Sequence, residues 1–301
     1  MCILYVLEAM LQFTFRGVRG SIPIAGSNTV RYGGNSSCVE VRAKEGPPLI
    51  LDCGTGARVS GMEFLRERVS EVEILFTHFH MDHLFGFPFF GSLYSPNASI
   101  NVRVPAASGI DAQNRLSRYL NGIYHPLRIR DIPANLSFEG LSPEQEFEIG
   151  PYKIKCITLN HPGGSSGYRV EADGTSLLYL TDTAPMTTPD AGISADKRPP
   201  ELERKLLEAM TEADAVIMDT MFSFEEYLER MTWGHAYPEY AVKLCELAGA
   251  KSLYLFHHAP DASDDQLDQL GEYWAAYDEL QVLVSKEGDT YDLDANTLAS
   301  K

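Results

Sequence analysis

The stretch Thr77-His78-Phe79-His80-Met81-Asp82-His83 follows directly on the largely apolar run Val72–Phe76. It places three of the chain's eight histidines and one aspartate within six positions. A buried strand that ends at Thr77 must turn at once, and the turn sends alternating side chains into one small volume. Imidazoles together with a carboxylate form a donor set suited to zinc and similar first-row ions. A solvated polar loop with histidines as caps is the alternative, and the density of donors argues against it. The segment therefore reads as a metal site, with the fold arranged around it.

Short β-branched runs alternate with helical patterns along the rest of the chain. Strands are expected over Gln12–Arg16, Cys38–Arg42, Leu49–Asp52, Val72–Phe76, Ile100–Val104, Tyr152–Leu159, Tyr168–Glu171, Ser176–Leu180, Ala215–Asp219 and Leu253–Phe256. Helices are expected over Ala57–Arg68, Ile110–Leu120, Glu201–Thr211, Pro238–Ala248 and Ser263–Trp274, most of them with apolar residues three and four apart. Ser263 with Gln266 has the form of a capping box, and Pro238 suits a first helical turn. The pattern predicts an α/β (α+β) fold of two mixed sheets sandwiched between helical layers. One domain is expected over residues 11–301. Residues 1–10 read as a disordered extension, with Met10 as an alternative start. Thr187–Pro200, with three prolines, reads as a long surface loop.

Net charge is −17, without a run of basic residues. Such a body repels a long polyanion, which counts against a general nucleic-acid binder. A small phosphate ester remains compatible, because two bound dications would dominate the local field. Cysteines at 2, 38, 53, 156 and 245 are odd in number and form no C-x-x-C, as expected of buried thiols in a reducing, cytoplasmic setting. The apolar start Cys2–Leu7 is stopped by Glu8 and is too short for a membrane span.

Three further candidate ligands stand at strand ends. His161 follows Tyr152–Leu159 and precedes Pro162-Gly163-Gly164; Asp182 follows Leu178-Tyr179-Leu180-Thr181; His257 follows Leu253–Phe256. Each alone reads as a hydrogen-bonded structural residue or a turn former. Taken in this order after H-x-H-x-D-H, they resemble the ligand series of the metallo-β-lactamase superfamily, over about Gly17 to Asp265. The resemblance implies its four-layer αββα sandwich and two divalent ions, zinc first, with manganese or iron as alternatives. It implies that His78, His80 and His161 hold one ion, that Asp82, His83 and His257 hold the other, and that Asp182 bridges them. His258 competes with His257 for the last place.

Gly17-Val-Arg-Gly-Ser-Ile-Pro23, Arg31-Tyr-Gly-Gly-Asn-Ser-Ser37, Leu51-Asp-Cys-Gly-Thr-Gly56, Trp233-Gly-His235 and Leu255-Phe-His-His-Ala-Pro-Asp261 are similar to motifs of its phosphodiesterase branch, which includes ribonuclease Z and small cyclic-phosphate phosphodiesterases. That branch attacks phosphorus with a hydroxide shared by two ions about 3.5–4 Å apart. His235 is then the candidate acid for the leaving group, oriented by Asp219, and Asp82 serves catalysis as a ligand. Asp52 is expected to support the ligands from behind. Where ribonuclease Z has glutamate, this chain has Asp219 and Thr55, and Met81 replaces a glycine. No basic, Gly/Pro-rich arm lies between His83 and His161, and Leu84–Phe90 offers aromatics to a pocket mouth. A cyclic nucleotide or cyclic sugar phosphate is thus the expected substrate. A ribonuclease Z-like endonuclease, a lactonase or thioesterase, and a silent metal-bound sensor are the alternatives. His125 is expected at the surface or pocket rim, and a homodimer is suggested only by the habit of relatives.

Overall fold

A computed structural model describes residues 11–186 and 200–293. The expected N-terminal extension and the proline-rich loop up to residue 199 lie outside them. The first half contains β1 (Leu11–Gly17), β2 (Cys38–Arg42), β3 (Leu49–Leu51), α1 (Ala57–Glu67), β4 (Glu71–Leu75), β5 (Ser99–Pro105), α2 (Gly109–Tyr119) and β6 (Asn135–Leu141). The second contains β7 (Glu146–Ile149), β8 (Tyr152–Leu159), β9 (Ser165–Ala172), β10 (Thr175–Leu180), α3 (Glu201–Met210), β11 (Ala215–Asp219), α4 (Phe224–Glu229), α5 (Pro238–Ala248), β12 (Ser252–Phe256), α6 (Asp264–Ala275), β13 (Gln281–Val284) and β14 (Thr290–Leu293).

Two seven-stranded sheets result, in the orders β14-β1-β2-β3-β4-β5-β6 and β13-β12-β11-β10-β9-β8-β7. Each is half antiparallel and half parallel. The parallel strands are β3 to β6 in the first sheet and β10 to β13 in the second. Strand alternation dictates the layers. Phe13 and Phe15 of β1, Tyr179 of β10, and Tyr254 and Phe256 of β12 meet in the core between the sheets. The opposite residues of the second sheet, among them Leu178, Met218 and Leu255, pack beneath α3 and α5 with Leu206, Leu244 and Cys245. On the outer face of the first sheet, Ile50, Ile74 and Val102 pack against Phe64 of α1 and Leu116 of α2. The architecture is the expected αββα sandwich.

Ser263 and Gln266 form the expected capping box of α6, and Pro238 opens α5. Four strands and α4 escaped the sequence pattern, and the four strands are β6, β7, β13 and β14. These are the four edges of the two sheets; exposed polar residues dilute the apolar signal in β6, β7 and β14, and β13 is a run of only four residues. The aromatic run after His83 divides. Leu84, Phe87 and Phe90 are buried in the outer core of the first sheet, whereas Phe89 is exposed.

Candidate metal centre

Parallel strands point their carboxyl ends the same way, and turns after such ends are where open α/β sheets place their ligands. Here β3 leads to Asp52, β4 to the histidine-rich turn, β10 to Asp182, β11 ends in Asp219, and β12 leads to His257. Asp52, Asp182 and His257 take left-handed backbone conformations, with φ of 60°, 55° and 63°. Asp and His are among the residues that tolerate this region best, yet it still stores strain that persists only where surrounding structure enforces it. In each case the reversal follows a strand end and keeps the side chain at the common edge.

The seven expected ligands converge. Asp182 Oδ1 lies 3.1 Å from His83 Nε2 and 3.1 Å from His257 Nε2. Its Oδ2 lies 3.6 Å from His78 Nε2 and 3.5 Å from His161 Nε2. His80 Nδ1 is 3.1 Å from His161 Nε2, and Asp82 Oδ2 is 3.3 Å from the Nε2 atoms of both His83 and His257. One carboxylate therefore faces two groups of donors, one with each oxygen. His258 is excluded from the cluster. Its Nε2 bonds the Ser285 carbonyl at 2.8 Å, and burial lowers its pKa to about 3.

The far ring nitrogens are tethered. His83 Nδ1 bonds Asp52 Oδ2 at 2.7 Å, His78 Nδ1 meets Thr77 Oγ1 at 3.0 Å, and His161 Nδ1 donates to the Gly234 carbonyl at 2.9 Å. This fixes which nitrogen of each ring is offered inward. His78 Nε2 and His83 Nε2 are buried without a hydrogen-bond partner among the described residues. Such atoms are costly unless something binds them, and a metal ion suits the donor set. Burial, and next the neighbouring His83, push the His78 pKa well down, and burial likewise lowers that of His161, so both favour the neutral, ligating form. Burial opposes ionisation of Asp82 and Asp182, yet the surrounding histidines hold both below the usual carboxylate range.

Asp52 lies behind the cluster as expected. It accepts bonds from the Thr77 amide at 2.8 Å, the Thr77 hydroxyl at 2.9 Å and the Tyr179 hydroxyl at 3.1 Å. Asp82 is steadied by the Ser21 amide at 2.8 Å. Asp219 receives His235 Nδ1 at 2.7 Å and the Met221 amide at 3.0 Å. The His235 ring stacks on His257 with centroids 5.0 Å apart and lies 5.4 Å from the ring of His161. Burial disfavours its charge, but Asp219, helped by Asp182 and Asp82, lifts its pKa to about 9. Asp182, Asp219, His235 and His257 also approach closely enough to form a donor group of their own.

Three positioning elements emerge only from the structure: Thr77, the Ser21 amide and Gly234. Gly234 has a φ of +93°, and a Cβ there would strike the His161 ring and Pro162. The glycine of Trp233-Gly234-His235 is the signal that could have revealed its close approach. His125 is half-buried, its ring 5.5 Å from that of Phe89. Thr55, the expected departure from glutamate, accepts the Ser36 amide at 2.9 Å.

Comparison with known proteins agrees with this fold. A family model described as the β-lactamase superfamily domain matches residues 49–258, more than half of the chain. Ribonuclease Z of Acaryochloris marina is 23% identical, over 83% of this chain and 86% of its own. Among solved structures, the metallo-β-lactamase fold protein YhfI from Bacillus subtilis aligns with a TM-score of 0.66 at 18% identity, covering 95% of this chain and all 100% of that one. A diphosphatase from the PhnP family aligns with a TM-score of 0.64 at 16% identity, covering 94% and 98%.

Proposed function

Since the chain belongs to the β-lactamase superfamily, we propose that it is a dinuclear metallo-hydrolase that cleaves a small or cyclic phosphodiester. The observation that carries this reading is the two-sided carboxylate of Asp182, with His83 and His257 at 3.1 Å from one oxygen and His78 and His161 at 3.6 and 3.5 Å from the other. The residues fit two divalent ions, zinc first: His78, His80 and His161 on one side, Asp82, His83 and His257 on the other, Asp182 between. Such a pair, when bound, supplies a nucleophilic water near neutral pH and neutralises charge on phosphate oxygens.

The chain's own groups do the rest. Asp52 and Thr77 hold His83 and His78 in one tautomer each. Asp219 anchors His235 Nδ1, leaving its Nε2 to give a proton to the departing alkoxide. The loss of a poor leaving group depends most on that proton. Ribonuclease Z relatives favour RNA cleavage as a second reading, against which the charge of −17 weighs. Among the described residues no helix is long and apolar enough to cross a membrane.

The test is turnover by metal-loaded protein on a panel of cyclic nucleotides, cyclic ribose phosphate, precursor transfer RNA and a lactam. Hydrolysis of the cyclic phosphodiesters is expected. Cleavage confined to precursor transfer RNA would establish the second reading, and activity on the lactam alone would defeat both.

A further inference from the structure

Beside the ligand-bearing turn lies a cavity of about 770 Å³ between that turn and α2, lined by Phe79, Met81, Arg115, Arg118, Tyr119 and Tyr124. Phe79 and Met81 stand between the ligands His78, His80 and Asp82 in sequence, so the cavity adjoins the ligand-bearing turn. Two features set it apart from ordinary surface. Met81 is 41% exposed and Tyr124 78% exposed, and apolar area gathered at one concave place marks a site that something covers.

The cavity also carries cationic groups in a strongly acidic chain. Arg115 lies 5.5 Å over the Phe79 ring, and its charge is matched by Asp111 at 2.9 Å. Arg118 makes no salt bridge among the described residues, although it lines the same space. Two tyrosines, Tyr119 and Tyr124, and a guanidinium without a salt bridge among the described residues line one cavity, a set that suits a flat heterocycle edged by hydrogen-bond acceptors. An aliphatic group would use neither, and a sugar lacks the flat face edged by acceptors that matches both together.

We propose that this cavity receives the nucleobase of the substrate, stacked on Tyr124 and met at its acceptor edge by Arg118. The substrate class is then a nucleotide phosphodiester, in preference to a cyclic sugar phosphate lacking a base. The inference rests on the phosphodiesterase reading and narrows it. Base–aromatic stacking is sequence-tolerant, so Tyr124 serves affinity for bases in general, and Arg118 discriminates among them by their acceptors.

The experiment is calorimetric binding of a nucleoside monophosphate and of ribose 5-phosphate to the metal-loaded protein, with Tyr124→Ala, Tyr124→Phe and Arg118→Met variants alongside. Tyr124 is exposed, so its variants should fold. Wild type is expected to bind the nucleotide at least about ten-fold tighter than the sugar phosphate. Tyr124→Ala and Arg118→Met should each erase most of that difference, and Tyr124→Phe should keep it. Equal affinity for both ligands in the wild type, or variants that weaken both ligands alike, would overturn the proposal. This readout needs no turnover. Selective nucleotide binding by a protein that hydrolyses no phosphodiester would leave the base site standing and remove the catalytic reading instead.

Discussion

Two histidines in this molecule are held in the same way and serve different surroundings. His83 and His235 each place Nδ1 2.7 Å from a fully buried aspartate, Asp52 and Asp219 respectively. The two aspartates stand at corresponding places, the carboxyl ends of parallel strands in the first and second sheets. The difference lies at the other end of the ring. His83 Nε2 is buried, has no hydrogen-bond partner among the described residues and lies 3.1 Å from Asp182 Oδ1. His235 lies at the margin of the cluster, stacked on His257 and beside Phe222. On the proposed reading, the same Asp–His pair fixes a metal ligand at one strand end and poises a proton donor at another.

The sharpest way to break this comparison is to remove each ring. His83→Ala takes away an inward nitrogen of the second donor group, so bound metal and turnover should fall together, turnover to near background. His235→Ala should lower kcat about 10²–10⁴-fold on a substrate with a poor leaving group while both metals remain. Metal content by mass spectrometry, read beside kcat on the same samples, distinguishes the two. Loss of metal from His235→Ala would make His235 a ligand, through the donor group it forms with Asp182, Asp219 and His257, and the contrast would collapse.

A smaller effect is expected one step further back. Asp52→Asn keeps the volume but loses the charge that orients His83, and Thr77 and Tyr179 lose part of a shared acceptor. Support of this kind is worth about 10–100-fold in metal affinity. Asp219→Asn should leave metal affinity within a few-fold of wild type. Competition with a chelator of known affinity measures both. Equal losses in the two variants would mean that Asp219 supports the metal centre as Asp52 does, through His257, whose Nδ1 is 3.9 Å from Asp219 Oδ1.

The contrast also explains which parts were legible in the sequence. His78–His83 is a local cluster, so its density alone announces a metal site. His161, Asp182 and His257 are single residues whose meaning comes from topology, and only their order and their strand ends tie them to the cluster. The choice between His257 and His258 was not legible, because it depends on which of two adjacent rings the left-handed turn at His257 sends inward. Central strands such as β10 and β12, buried on both faces, advertise themselves by continuous apolar runs. The edge strands β6, β7 and β14 alternate polar and half-exposed residues that local periodicity does not separate from loop, and β13, though largely apolar, is only four residues long. The Thr77 hydroxyl holds the adjacent His78 ring, whereas the Gly234 carbonyl reaches His161 from 73 positions away, a contact that no local pattern announces.

The smallest expected effect tests the second Asp–His pair most finely. In the proposed reaction His235 gives up a proton, so only its protonated form is productive, and activity should fall as pH rises through its pKa. Burial alone would place that pKa low; the charge of Asp219 and its hydrogen bond raise it to about 9, with help from Asp182 and Asp82. Bound dications would cancel the help from the two ligand carboxylates, which leaves Asp219 as the chief support of the protonated ring. Asp219→Asn removes that support while retaining an acceptor for Nδ1. The alkaline limb of kcat should therefore move to lower pH, with the plateau below it preserved and the acid limb unmoved. A pH–rate series on wild type and Asp219→Asn with one cyclic nucleotide reads the shift directly. A limb that stays in place would assign it to another group and leave His235 as a ring packed against His257 without a part in proton transfer.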